Sequence, residues 1–162
     1  MNQFVPYYKT LRMRGKICRI LTVSTLYADA GNCDRIADAL SVLLDKTSPD
    51  LVFLCGDITR GTGTQDELRR TLDVILAPVI GRDLPWAHVF GDMDCVNGLP
   101  NEEAMEVYRS FPNCMSEAGE KSVDGCGNYI LPVLGEDGEP VLCLYGLDSH
   151  SAVQGYEADY GS

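Results

Sequence analysis

The chain has 162 residues, 45% of them apolar and 23% charged, which fits one globular domain long enough to bury a sizeable core. Its net charge of −11 argues against nucleic acid or an anionic membrane surface as a partner, and no apolar run approaches the roughly 20 residues that a membrane span needs. Seven cysteines, odd in number and without C-x-x-C spacing, speak against a disulfide framework or a zinc ribbon. With no signal-peptide pattern at the N-terminus, they imply a reduced, cytoplasmic setting.

Residues 8–13 and 16–24 read as extended segments separated by Arg14-Gly15, a plausible turn, which together suggest a solvated edge hairpin. Lys9, Arg12, Arg14, Lys16 and Arg19 all precede the first acidic residue, Asp29; such a cluster either guards an edge or forms an anion-binding arm. The run Ile17-Cys18-Arg19-Ile20-Leu21-Thr22-Val23 ends apolar on both faces, as a buried strand does. Asn32 is placed to cap a helix whose Ile36, Ala37, Leu40, Leu43 and Leu44 follow the 3.6 period, with Pro49 past its end.

Residues 51–55 form a short apolar strand that stops at Gly56-Asp57. A Gly/Thr loop then leads into a capping box, Thr64 with Glu67, and a helix with Leu68, Leu72, Ile75, Leu76 and Val79 on one face. Residues 86–90 predict a third strand, ending at Gly91-Asp92, and Asn101 a cap for a helix through Met105, Val107 and Tyr108. Residues 128–134 and 141–147 are strand runs joined by Gly135-Glu136-Asp137-Gly138-Glu139, a hairpin signal. The order is therefore β-α-β-α-β-α followed by an antiparallel pair, an α/β class with parallel strands and right-handed crossovers. There is no repeat, low-complexity tract or linker, so residues 1–162 read as one domain, with 1–14 an edge segment and 154–162 a polar tail expected to fray.

In open α/β sheets function collects beyond the carboxyl ends of the strands. Those ends supply Ser24-Thr25-Leu26-Tyr27, Gly56-Asp57-Ile58-Thr59, Gly91-Asp92-Met93-Asp94 and Asp148-Ser149-His150. Gly-Asp at successive strand ends permits a tight turn with a carboxylate aimed into the crevice. A carboxylate cluster there suits a hard cation, while the alternative is that each Asp caps a loop or helix.

RILTVSTLY resembles the opening strand of calcineurin-like metallophosphoesterases, which ends in Asp-x-His. LVFLCGDITRG is similar to their second motif, a strand ending Gly-Asp, and WAHVFGDMD to the third, Gly-Asn-His-Asp. MEVYRSFPNCMSEAG and GNYILPVLGEDGEPVLCLYGLDSHS resemble the segments that follow in a bacterial, purple-acid-phosphatase-like branch, so the likeness runs from about residue 10 to 150. It implies part of an α/β sandwich of two packed sheets with helices outside. It also implies two divalent metal ions (Mn, Mg, Zn or Fe), bridged by the second-motif Asp and a hydroxide that attacks phosphorus in line.

Carried over residue by residue, the resemblance makes Asp57 the bridging ligand. Thr25 stands where the first Asp binds metal and Tyr27 where the first His does. Asp92 replaces the ligating Asn, a tolerable exchange. Met93 replaces the His that protonates the leaving group, a proton no thioether carries, and Asp94 is kept without the His it orients. The family's remaining His ligands belong to later motifs, expected beyond Ser162. His88, inside the third strand, and His150, after the last, are expected to be a core or surface residue rather than ligands. A dinuclear site needs roughly seven or eight protein ligands, and Asp57 with Asp92 leaves at most a weak cation site.

The expected function is that of a degenerate metallophosphoesterase-like domain with little or no turnover and with a phosphoester as its conceivable ligand. The alternative is a phosphohydrolase with a reduced or partner-completed metal site at Asp57 and Asp92, where three carboxylates including Asp94 would otherwise repel one another. A nucleotide-binding module is disfavoured, because neither G-x-G-x-x-G nor G-x-x-x-x-G-K-[ST] is present. A missing second half would leave sheet surface uncovered, so a homo-oligomer, a dimer, is expected.

Overall fold

The computed structural model describes residues 9–13, 15–96 and 98–150. Its elements are β1 (Leu11–Arg12), β2 (Ile20–Val23), α1 (Cys33–Thr47), β3 (Leu51–Cys55), α2 (Gln65–Ile75), α3 (Ala77–Ile80), β4 (Trp86–Val89), α4 (Asn101–Arg109), β5 (Tyr129–Leu134) and β6 (Pro140–Gly146). They form two three-stranded sheets. The parallel sheet runs β2-β3-β4, and the mixed sheet runs β1-β5-β6 with β1 parallel and β6 antiparallel to β5.

The period-2 geometry of β3 and β4 sorts the core into two layers. Val52, Leu54 and Trp86 face the helices, packing with Leu44 of α1, Leu68, Leu72 and Ile75 of α2, and Met105 and Tyr108 of α4. Leu51, Phe53 and Ala87 face the other way, onto Leu11, Tyr129, Leu131 and Val133 of the mixed sheet. Residues 51–54 are buried because both faces of β3 are covered, which is why that strand reads as an unbroken apolar run. The order helices, parallel sheet, mixed sheet is the α/β sandwich expected from the sequence.

Several local expectations need correction. Residues 8–13 and 16–24 are not a hairpin: β1 pairs with β5 in one sheet and β2 with β3 in the other, each in parallel register. Arginine and lysine side chains near a turn-like Arg-Gly mimic an edge hairpin, but the apolar content of each run is satisfied by a different sheet. Residues 1–8, Arg14 and the tail from 151 onward lie outside the described residues. Lys9 serves as an anchor, its Nζ donating to the Cys114 carbonyl at 2.9 Å and lying 3.1 Å from Glu117.

Asn32 does occupy the cap position of α1, but its side chain makes no cap bond. Its Oδ1 accepts from Asp29 N and its Nδ2 donates to the Tyr27 carbonyl, so it ties down the preceding loop. The cap of α4 is Pro100 rather than Asn101. The helix expected to run through Val79 is two helices, with Pro78 in the first turn of α3, where its missing N–H costs nothing. Half of the capping box holds: Thr64 Oγ1 accepts from Glu67 N, but Glu67 Oε2 accepts from Gly63 N, one residue before the cap.

Candidate functional site

The parallel pairing of β2 and β3 continues past the strands and shapes the loops beyond them. Thr25 N donates to Gly56 O at 3.1 Å, Tyr27 N to Asp57 O at 3.0 Å and Ala28 N to Ile58 O at 2.9 Å. Within this stretch Thr25, Tyr27 and Asp57 all take left-handed backbone, with φ of 59°, 48° and 52°. For a β-branched or bulky residue that conformation is an outlier costing of order 1 kcal/mol or more, and such outliers collect at functional sites.

The two Gly-Asp dipeptides meet here. A Cβ on Gly56 would sit 3.0 Å from Gly91 Cα, and one on Gly91 would collide with the backbone nitrogen and Oδ1 of Asp57. The loops after β3 and β4 therefore touch backbone to backbone, and only glycine permits it. This contact brings Asp57 and the third-motif segment together. Asp57 Oδ1 accepts from Met93 N at 3.0 Å, and Oδ2 accepts from the Tyr27 hydroxyl at 3.3 Å.

Tyr27 is half-buried. Desolvation raises its hydroxyl pKa first, and the negative charges of Asp57 and Asp92 add to this while Arg60 opposes it, so the phenol stays protonated and remains a donor. The Arg60 guanidinium lies 5.7 Å from the centre of the Tyr27 ring and 3.3 Å from Asp29 Oδ2. Reading the sequence by motif did not single out Arg60. Its signal was its place three residues after Asp57, in the same strand-end loop.

The other candidates fall in different places. Asp92 is exposed, and Thr25 is exposed with its hydroxyl 2.9 Å from Ser24 Oγ. Asp94 turns inward and is 7% exposed: Oδ1 accepts from Thr59 N at 2.9 Å and Thr59 Oγ1 at 3.3 Å, and Oδ2 accepts from Gly91 N at 2.9 Å. It clamps the two strand-end loops together. Burial raises its pKa, and the hydrogen bonds from Thr59 and Gly91 oppose that rise. Asp94→Asn keeps the shape but turns an amide donor toward a backbone N–H. It should cost about 1–3 kcal/mol in chemical denaturation, and a loss near zero would remove the clamp from the account.

His88 is fully buried, its ring stacked 3.8 Å from that of Tyr108 and its Nδ1 2.8 Å from Ser116 Oγ. His150 is on the surface, 3.5 Å from Asp124. Asp148 caps the loop beside β5, accepting from Cys126 N and His150 N.

A pair of bridged metal ions does not fit these donors. Asp57 has both oxygens engaged by Tyr27 and Met93, Thr25 offers a neutral hydroxyl, and Met93 a thioether suited to soft ions rather than hard ones. Among the described residues no group of three or more His, Cys, Asp or Glu side chains is arranged to hold an ion.

A scan of family models matches residues 19–159 to the calcineurin-like phosphoesterase domain. The chain belongs to that family. Curated relatives of this phosphoesterase domain include a protein of Arabidopsis thaliana named probable inactive purple acid phosphatase 14, 29% identical over an alignment of 126 residues, with 69% of this chain and 31% of that protein covered. Phosphatase DCR2 of Saccharomyces cerevisiae is 32% identical over 114 residues, 67% of this chain and 20% of its own length. A second Arabidopsis protein, probable inactive purple acid phosphatase 28, is 28% identical over 59% of this chain and 27% of its own. The chain thus spans between a fifth and a third of the relatives it matches.

Proposed function

We propose that this domain keeps the phosphoesterase scaffold without metal-centred hydrolysis, acting as a binding or assembly domain. The observation that carries the reading is Asp57: the one carboxylate aligned with the family's bridging ligand accepts from a tyrosine hydroxyl, where the family has a metal-binding His, and from a backbone amide. Its neighbours Thr25, Tyr27 and Met93 supply no carboxylate or imidazole. Two of the relatives carry "probable inactive" in their names, in keeping with a branch in which the scaffold outlasts the chemistry.

The seven unpaired thiols favour a reduced, cytoplasmic setting, and the acidic surface disfavours nucleic acid. No helix among the described residues is long and apolar enough to cross a membrane. A phosphoester held without turnover remains compatible with the strand-end loops.

The test is turnover of an aryl phosphate and a phosphodiester with added Mn²⁺, Zn²⁺ or Mg²⁺. The rate should match that of Asp57→Ala. Metal-dependent turnover abolished by that substitution would reverse the reading in favour of a reduced or partner-completed site at Asp57 and Asp92. Exposed Asp92 beside Tyr27 is what keeps that second reading specific. Under it, protein purified without chelator holds stoichiometric metal; under the first it does not.

A further inference from the structure

Four buried side-chain atoms have no hydrogen-bond partner among the described residues: Thr62 Oγ1, His88 Nε2, Asn101 Oδ1 and the Tyr108 hydroxyl. Folded proteins pair almost all such atoms, so each one asks for a partner. Main-chain bonds and packing bring three of them to one place. Leu99 N donates to the Thr62 carbonyl at 3.3 Å, so Asn101, two residues on, begins α4 beside the loop that follows β3. Gln65 Nε2, at the start of α2, donates to Glu103 O at 3.2 Å and holds the two helix ends together. Asn101 and Tyr108 are seven residues apart in α4 and therefore share a face. Helical side chains lean toward the N-terminus, which sends the Tyr108 hydroxyl back toward Asn101.

We propose that the space between the loop after β3 and the inner face of α4 is an internal water site, one molecule bridging Thr62 Oγ1, Asn101 Oδ1 and the Tyr108 hydroxyl. The bridge ties α4 to the loop that Asp94 also clamps through Thr59, and it stands whether or not the domain turns over a phosphoester.

The chemistry of the three atoms selects the ligand. Burial, and after it the charge of Asp94, raises the Tyr108 pKa, so the phenol keeps its proton and needs an acceptor. The Asn101 oxygen only accepts and needs a donor, while the Thr62 hydroxyl can do either. None bonds another directly, so what joins them must accept from one and donate to the next. A cation would face the Tyr108 proton, and an anion would face the Asn101 oxygen. Water meets all three, and three hydrogen bonds are the usual complement of a buried water. Asp94 is committed elsewhere, its oxygens accepting from Thr59 and Gly91. His88 Nε2 belongs to the ring stacked on Tyr108 and is not needed for the bridge.

The experiment uses the full chain in solution. Magnetic relaxation dispersion of the water signal counts molecules held longer than the protein takes to tumble. Tyr108→Phe and Thr62→Val should each count one water fewer than the parent, since loss of either hydroxyl shortens the stay. The double variant should also count one fewer, because both hydroxyls hold the same molecule. Thr62→Ser keeps the hydroxyl and should keep the parent's count. Each variant that removes a hydroxyl should melt lower than the parent, having broken a bridge. If Tyr108→Phe misfolds by far-UV circular dichroism, Thr62→Val against Thr62→Ser decides alone. An unchanged count in either single variant, a double variant two waters short, or a Tyr108→Phe melting point above the parent's overturns the proposal.

Discussion

Trp86→Ala should lower stability by about 3–5 kcal/mol, the largest loss expected from a single truncation in this domain. Trp86 is fully buried in β4, between Val52 of β3 and the segment that follows α4. Its indole N–H donates to Pro112 O at 2.9 Å, its backbone N–H donates to Asn113 O, and its carbonyl accepts from Met115 N at 2.7 Å. Removing the indole opens a cavity among Val52, Leu76 and Tyr108 and leaves the Pro112 carbonyl without its donor, so the transfer, cavity and hydrogen-bond losses all have the same sign. The chain has one tryptophan, so the variant loses its fluorescence probe, and denaturation is best followed by far-UV circular dichroism. A loss below about 1 kcal/mol would mean that the core is not closed around this ring.

Acid should unfold the protein partly through His88. Complete burial lowers its pKa from 6.5 to about 3, because the imidazolium would have to shed its water inside an aromatic layer of Tyr108 and Phe90. Between those two values the unfolded chain binds a proton that the folded chain refuses. Stability from this group is complete above the unfolded value, declines by about 1.4 kcal/mol per pH unit below it, and stops declining near the folded value. From pH 7 to pH 5 the contribution is about 2 kcal/mol. Asp94 has the opposite sign: its pKa is raised, so its ionised form weighs against folding at neutral pH, and acid relieves that. Comparing His88→Gln with the parent isolates the imidazole. The variant should be less stable at pH 7, having lost the stacked ring, and should show a shallower fall toward pH 5. Parallel curves would show that His88 takes up its proton as readily in the folded chain as in the unfolded one.

The parallel sheet was legible in the sequence because burial imposes period and composition together, while the layering of two sheets under helices came from the family resemblance. Residues 51–55 read as a two-sided apolar strand, and β3 is covered on both faces. Leu68, Leu72 and Ile75 repeat at helical spacing, and they are the buried positions of α2. What failed were readings that depend on which partner a segment finds. Nothing local in residues 8–24 says that two adjacent extended runs belong to separate sheets, because sheet choice is decided by β3 and β5, far along the chain.

The site was legible to the same degree. Gly56-Asp57 and Gly91-Asp92 announced two strand-end turns, and the structure brings those turns into contact. The inward rotation of Asp94 was not visible, because its acceptors are filled by Thr59 and Gly91, groups whose proximity comes from the crossing of the two loops. Asn32 misled for a similar reason: a residue suited to capping a helix was recruited to hold the loop before it.

The left-handed turns at Thr25, Tyr27 and Asp57 are fixed by main-chain pairing between neighbouring loops, and the side chains at 25 and 27 take no part in that pairing. The mould is thus independent of what is cast in it. The main-chain bonds at 25 and 27 are available to any residue with a backbone N–H, which makes the domain a ready chassis: ligating residues introduced at 25, 27 and 93 would arrive on a backbone already bent to present them.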